Sequence, residues 1–461
     1  MTGMNKVIYK IFIVAFASMV AFSACSDSSS NTEGINEECS IINMTLGTLY
    51  KTVSTQNEAG KDTTYWTTFN GSYYNLLVDQ LNHVIYNPDS LPVGTDIKRV
   101  IFNSISSDGN VAFRGSDGVD SIYSSTDTLD FTKPRTFICY SSTFSSKQEY
   151  TVKINVHQVE PDEFHWENLG TFDEVKSLTA QKAISKDNSI YLFGTDGPTG
   201  KAVLLTTPAE GKVNWTKKEI TDISSFTPAG VQLFNGKFYT SDGQTLYQSA
   251  DGITWTAVST DFQPEAIVAA TDVRLFAQKE NALYVSSDGQ NWSKEEMDGE
   301  SDKLPTANWT SAMMDMNFNK NFEFILLGGS CSNGKNTVWK KVIDRLNIED
   351  DCWSLYDNGE EIGYPFPNVN NPTIINYDTR MLNIGLQGDT LSLFYVSEDA
   401  GRNWEPDNET YIHPAGIKAT NFSCIVDNSF HIWICCAGSG EIWKGRINRL
   451  SFKNEKTSFT E

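Results

Sequence analysis

The sequence predicts an all-β protein: an N-terminal β-sandwich followed by a six-bladed β-propeller. Three observations predict it. Short runs rich in β-branched and aromatic residues, separated by Gly, Pro and Asp turns, fill the chain from Ile42 onward. Beyond Pro161 a unit of four such runs recurs. A Ser–Asp–Gly–Trp turn stands in phase with that recurrence three times. Its members are Ser249, Asp251, Gly252 and Trp255; Ser286, Asp288, Gly289 and Trp292; and Ser397, Asp399, Gly401 and Trp404.

A chain of 461 residues calls for more than one domain. Its net charge of −22 leaves no basic patch with which to neutralise phosphates, which excludes nucleic acid as a partner. The start of the chain is not fold. Residues 1–24 carry Lys6 and Lys10 and then the apolar run 11–24, too short and wrongly flanked to span a bilayer. The run ends in small Ser23 and Ala24 before Cys25. This resembles a bacterial lipoprotein signal, which implies cleavage before Cys25, acylation of its thiol, and anchoring in the bacterial outer membrane. Residues 25–41 are polar, Ser-rich and acidic and read as a flexible tether. A similar stretch promotes surface export in Bacteroidota-type lipoproteins, although here only Asp27 lies close behind the cysteine, so the side of the membrane stays open.

Apart from Cys25 the cysteines are Cys39, Cys139, Cys331, Cys352, Cys424, Cys435 and Cys436. Their number is odd, and no Cys-x-x-Cys or Cys/His metal spacing occurs, so neither a metal nor a cofactor is expected. They read as small buried hydrophobes, with Cys39 and Cys139 a candidate pair.

Residues 42–160 form the sandwich, roughly of immunoglobulin type but without its cysteine–tryptophan signature. In its last run Tyr150, Val152, Ile154 and Val156 alternate with polar residues, the mark of a half-buried strand. "VEPDEF" closes the domain, and residues 161–461 form the propeller.

Each propeller unit reads as strands A to D, and a tryptophan marks each D strand: Trp215, Trp255, Trp292, Trp353 and Trp404. The last unit supplies A, B and C in "IKATNFSCIVDN", "SFHIWICCAG" and "GEIWKGRINRL", and no D follows. "FHWENLG", residues 164–170, precedes the first unit and has the shape of the missing strand, with Trp166 in series. Six such tryptophans count six blades, and a strand borrowed from the far end ties the ring shut without free edges. A seven-bladed ring, with a blade hidden in the long fourth unit, is the alternative.

The recurrent turn lies between strands C and D. There Asp accepts from backbone N–H groups, Gly supplies a positive φ, and Trp tucks into the blade. It resembles the Asp box of sialidase-like propellers, S-x-D-x-G-x-[TN]-W; residues 397–404 match in full and the other two copies are one residue shorter. The resemblance implies a structural role, since in that family the box lies on the face opposite the ligand. The whole chain is also similar to an uncharacterised family of Bacteroidota lipoproteins with a β-rich N-terminal domain and an Asp-box propeller. "INEEC", "GTDIKRV", "TVKINVHQVEPDEFHW" and "IWKGRINRL" carry that similarity, and it implies no particular activity.

Sialidase chemistry needs three arginines, a Tyr–Glu pair and an Asp. The family's R-I-P motif is absent, and residues 171–201 contain no arginine. With A strands innermost, Arg274 and Arg380 fall at A–B turns, Arg402 inside an Asp box, and Arg345, Arg446 and Arg449 at or beyond C-strand ends. All six are expected on the far face. His83, His157, His165, His413 and His431 show no metal spacing, and His165 and His431 read as packing residues in strands. No catalytic residue is assigned. The expectation is a membrane-anchored, non-catalytic recognition lipoprotein that binds a glycan or a protein on its D–A face. The alternative is a sialidase-like hydrolase or lyase with an unrecognised site. Trp309, Tyr364, Phe366 and Tyr411, on long acidic loops, are the candidate ligand contacts.

Overall fold

A computed structural model of the protein describes residues 38–56, 62–316, 321–346, 352–356 and 363–451. Cys25, the signal peptide and most of the tether lie outside the described residues. The chain divides into two compact units, up to Val159 and from Glu160 onward.

The first unit holds a six-stranded sheet in the order Leu77–Asp79, Val84–Tyr86, Lys147–Lys153, Arg135–Tyr140, Asn110–Arg114, Asp120–Ile122. Two-stranded ribbons join Ile41–Leu46 to Phe102–Ser107 and Thr48–Gln56 to Asp62–Asn70. The sheet is mixed: Lys147–Lys153 runs antiparallel to Arg135–Tyr140 but parallel to Val84–Tyr86. A hairpin-by-hairpin reading of turns cannot find that pair, because its partners are joined by a long crossover. Alternation along the last strand is as its sequence pattern requires. Tyr150, Val152 and Ile154 are buried in a core with Phe102 and Phe137, while Thr151 and Lys153 face solvent.

The second unit is a ring of antiparallel sheets. Among the described residues there are six, and their first strands are Leu178–Lys186, Gln232–Phe234, Ala266–Ala270, Ala307–Asp315, Asn370–Tyr377 and Asn421–Val426. These A strands are innermost and bind one another through side chains. Ala183 N donates to Ser423 Oγ at 3.1 Å, Ile374 N to Thr310 Oγ1 at 2.7 Å, Gln232 Nε2 to Val268 O at 2.9 Å and Asn376 Nδ2 to Met313 O at 2.9 Å. Backbone groups on an inner strand edge that would otherwise lack partners are thereby satisfied across the ring.

The sixth sheet takes its fourth strand from the start of the unit. Phe164–Thr171 pairs antiparallel with Glu441–Ile447, placing Trp166 opposite Gly445 and Asn168 opposite Trp443. In the fourth sheet Met297–Asp298 adds a parallel fifth strand beside Trp353–Tyr356. Trp255, Trp353 and Trp404 are buried against neighbouring strands; Trp353 meets Phe276 edge-on at 5.2 Å. His165 departs from the packing role read for it: the strand's alternation turns Phe164 and Trp166 inward and leaves its side chain 68% exposed.

The three Asp boxes share one geometry. In the full copy Asp399 Oδ1 accepts from Arg402 N at 3.1 Å, Asn403 N at 2.9 Å and Ser397 Oγ at 2.9 Å. Gly401 N donates to Ser397 Oγ at 2.9 Å, and Trp404 Nε1 donates to Gly401 O at 2.9 Å. Asp251 and Asp288 bind their own turns in the same way. The glycines take φ of 76°, 77° and 92°. The residue that the shorter copies lack is Ala400, itself held at φ 59°.

Candidate functional site

The six A strands and the turns that lead into them enclose a central cavity of about 760 Å³. That volume lies within the range of small-molecule sites, ~300–1,000 Å³. In a chain of net charge −22, the composition of this wall stands out. Its lining residues are amides, hydroxyls, aliphatic groups, Met313, Phe422 and Trp309, with no Asp, Glu, His, Arg or Tyr among them. The one charged group is Lys182.

Lys182 sits mid-strand in Leu178–Lys186, half-buried, and its Nζ donates to Ala229 O at 3.1 Å. Ala229 belongs to Pro228–Gly230, the short 3₁₀ turn at the D–A face that leads into the second sheet. Burial draws the Lys182 ammonium down to about 7, since the charged form loses hydration. The same turn lies beside the inner strand of the fourth sheet, which carries Trp309. The Trp309 ring is half-buried, with Nε1 donating to Pro305 O at 2.9 Å and Gln278 Oε1 at 3.1 Å.

Four inner strands bulge toward the D–A face, two of them at Leu178/Ala180 and Ile267/Ala269. Register shifts at Ala307/Thr310 and Asn370/Thr373 hold Asn308 and Asn371 at φ 51°. Such left-handed residues cost of order 1–3 kcal/mol and cluster at functional sites. Polar atoms are left over along the wall: among the lining residues, Gln181 Oε1 and Asn421 Oδ1, and toward the far end Ser185 Oγ, are buried without a hydrogen-bond partner.

Of the four aromatic residues read as ligand contacts, only Trp309 lines this cavity. Phe366 is 3% exposed and packs edge-on against Trp404 at 5.2 Å, so it is core. Tyr411 is 2% exposed; its hydroxyl donates to Asp378 Oδ2 at 2.7 Å and accepts from Arg380 Nη1 at 3.1 Å. Burial and then the Asp378 bond push that phenol up to about 12. Neither ring has a face to offer a sugar. Their loops pack inward because the D–A connections run against the next blade's tryptophan. Tyr364 is 48% exposed, but its carbonyl accepts from Trp404 N at 2.9 Å, which places it beside an Asp box and away from the channel wall.

A second cavity, about 660 Å³, is lined by Asp399, Asp407, Glu398, Arg380, Tyr411 and Arg449 among others. Its arginines are already engaged. Arg380 Nε donates to Glu398 Oε1 at 2.6 Å, and Arg449 binds Asp378 and Asp162. Arg449 and Asp162 lie near the two ends of the ring-forming segment, so this cluster fastens the closure. Arg345 likewise binds buried Glu323, with Nη2 to Oε2 at 2.6 Å.

Sequence reasoning missed Lys182, Asn308, Asn371 and Asn421. The signal was present: once A strands are innermost, the first residues of each must rim the channel. Lys182 is the one charge in the body of those strands, whereas Lys186 and Asp315 stand at their far ends.

No curated protein matches the chain. Among solved structures, the SapL1 lectin in complex with alpha methyl fucoside is 12% identical, with a TM-score of 0.36, over 57% of this chain and 90% of the lectin. A mutant Aleuria aurantia lectin in complex with Fucalpha1-6GlcNAc is 14% identical, with a TM-score of 0.35, over 58% of this chain and 93% of that one. Trypanosoma rangeli sialidase is 9% identical, with a TM-score of 0.35, over 60% of this chain and 55% of the sialidase. The domain models are decisive: the DUF6242 beta propeller domain matches residues 160–455 and the DUF6242 N-terminal domain residues 44–154, so the chain belongs to the DUF6242 family.

Proposed function

We propose that the propeller is a non-catalytic recognition module that binds a glycan at the D–A mouth of its central channel. The observation that carries this is the wall itself. A glycosidase of the usual kind needs two carboxylates facing the scissile bond, and the sialidase variant needs Tyr, Glu, Asp and arginines. The lining residues include none of these types. They offer amides and hydroxyls that can exchange hydrogen bonds with sugar hydroxyls, and Trp309, whose ring can cover a sugar's C–H face. The protein is held at the bacterial outer membrane by a lipid on Cys25. The Ser-rich segment behind that residue gives the propeller reach.

A glycan-array screen of the full chain tests the reading. Retained glycans should lose affinity when Trp309 is changed to Ala and keep it in Asp399→Ala once binding is normalised to folded protein. A screen in which no glycan is retained, or one in which hits ignore Trp309, defeats the proposal. Turnover of a retained glycan would move the assignment to the hydrolase or lyase class.

A further inference from the structure

Resting on the reading of the channel as a glycan site, we propose that it selects sugars bearing an anionic group, a carboxylate or a sulfate ester, with the Lys182 ammonium as the partner of that group. An ammonium has three donors. One is used, by Ala229 O at 3.1 Å, and no carboxylate of the described residues forms an ion pair with it. Every other wall residue is uncharged. Lys182 is half-buried without a counter-ion, and the hydration it loses draws it down to about 7. An anionic ligand would supply the missing charge and restore the protonated form.

The rest of the wall specifies what carries the anion. Gln181 is 8% exposed; its Nε2 donates to Cys435 O at 2.7 Å, while its Oε1 has no partner. Asn421 Oδ1 and Ser185 Oγ are also unmatched. The amides of the same wall that face solvent, Asn308 and Asn376, spend their nitrogens on Ser330 Oγ and Met313 O and so offer oxygens that accept, which suits a ligand that donates from hydroxyls as well as carrying negative charge. An acidic sugar has both. The net charge of −22 does not forbid it. Carboxylates more than a Debye length away, about 8 Å at physiological salt, are largely screened, and among the described residues none lines the channel.

The experiment is calorimetric titration of the full chain with two matched pairs of oligosaccharides. One pair is a galacturonate oligomer and its fully methyl-esterified counterpart; the other is a sulfated galactan oligomer and the same oligomer without sulfate. At least one acidic member should bind about 10- to 100-fold tighter than its neutral partner, the range a hydrogen bond to a charged group contributes. Which pair shows the gap distinguishes carboxylate from sulfate. Lys182→Gln should erase the gap by lowering the acidic member's affinity to that of the neutral member, while Lys182→Arg, which keeps the charge, should retain part of it. Equal binding of acidic and neutral members by the wild type overturns the inference and leaves the glycan reading standing, as does a gap that survives in a folded Lys182→Gln protein. Binding of none of the four, after an array without hits, removes both.

Discussion

Replacing Trp166 by Ala probes how the ring is closed, and the structure sets the size of the effect. Full burial of a tryptophan would make truncation cost ~3–5 kcal/mol. Trp166 is only half-buried, stacked on Phe164 with centroids 4.9 Å apart, so the packing loss is nearer ~2 kcal/mol. Its Nε1 donates to Ile412 O at 2.7 Å, a partly solvated bond contributing ~0.5–1 kcal/mol. The expected total is about 2–3 kcal/mol. A sharper signature comes from the residue beneath the ring. A Cβ placed on Gly445 would lie 2.4 Å from Trp166 Cδ2 and 2.5 Å from Cε3, so Gly445→Ala must displace the indole, at ~1–3 kcal/mol. Once the indole is gone that clash is gone too. The double variant should therefore be less destabilised than the sum of the singles by about 1–2 kcal/mol. Urea denaturation of the four proteins, followed by tryptophan fluorescence and by circular dichroism, measures the cycle. Strictly additive energies would mean that Trp166 does not cover Gly445 and that the closing strand is held in some other register.

Asp399→Ala should lower stability by ~1–3 kcal/mol in the same assay, because it strands Arg402 N and Asn403 N in a turn closed by Asp399. Gly401→Ala should also destabilise, since φ is 92° and its Cβ would lie 2.7 Å from Leu326 Cδ1; an unchanged urea midpoint would contradict this. Asp427 gives a pH test. Burial opposes its charge, but bonds from His431 and from Trp433 Nε1, the latter at 2.9 Å, prevail and hold the carboxyl at about 2, below its ordinary 3.8. Its contribution is therefore present above pH 3.8 and lost as pH falls through about 2. Denaturation from pH 5 to 2 should show ~2 kcal/mol less acid-dependent loss in Asp427→Asn than in the wild type. Cys25→Ser should move the protein from the membrane fraction to the soluble fraction and remove the acyl mass; unchanged fractionation and mass would refute the anchor.

Much of the fold was legible because a propeller writes its period into the chain. Polar and apolar residues alternate along strands, tryptophans recur at D positions, and the Asp boxes fall in phase, each a local consequence of strand and turn chemistry. Even Trp166 could be put in series from local pattern, since its segment matched a strand that the last unit lacked. Apart from that closure, pairings between distant segments were not legible. The parallel match of Thr151 with Val84 and the added strand Met297–Asp298 depend on crossovers that leave no periodic trace. The site was harder still. Phe366 and Tyr411 look like binding aromatics in loops rich in charge, but whether a loop aromatic faces solvent or wedges against the next blade depends on that blade's surface. Here Trp404 and the Asp378–Arg380 pair take them in. Lys182 gave the opposite error. In sequence it is one lysine among many, and only the ring brings six inner strands together around it without a carboxylate. Sequence by itself determined the repeat, its turns and the strand chemistry, because those interactions act within a few residues. Tertiary structure decided which polar groups share the channel and which aromatics are core, because burial and charge environment are set by neighbours that the chain brings together only when the ring closes.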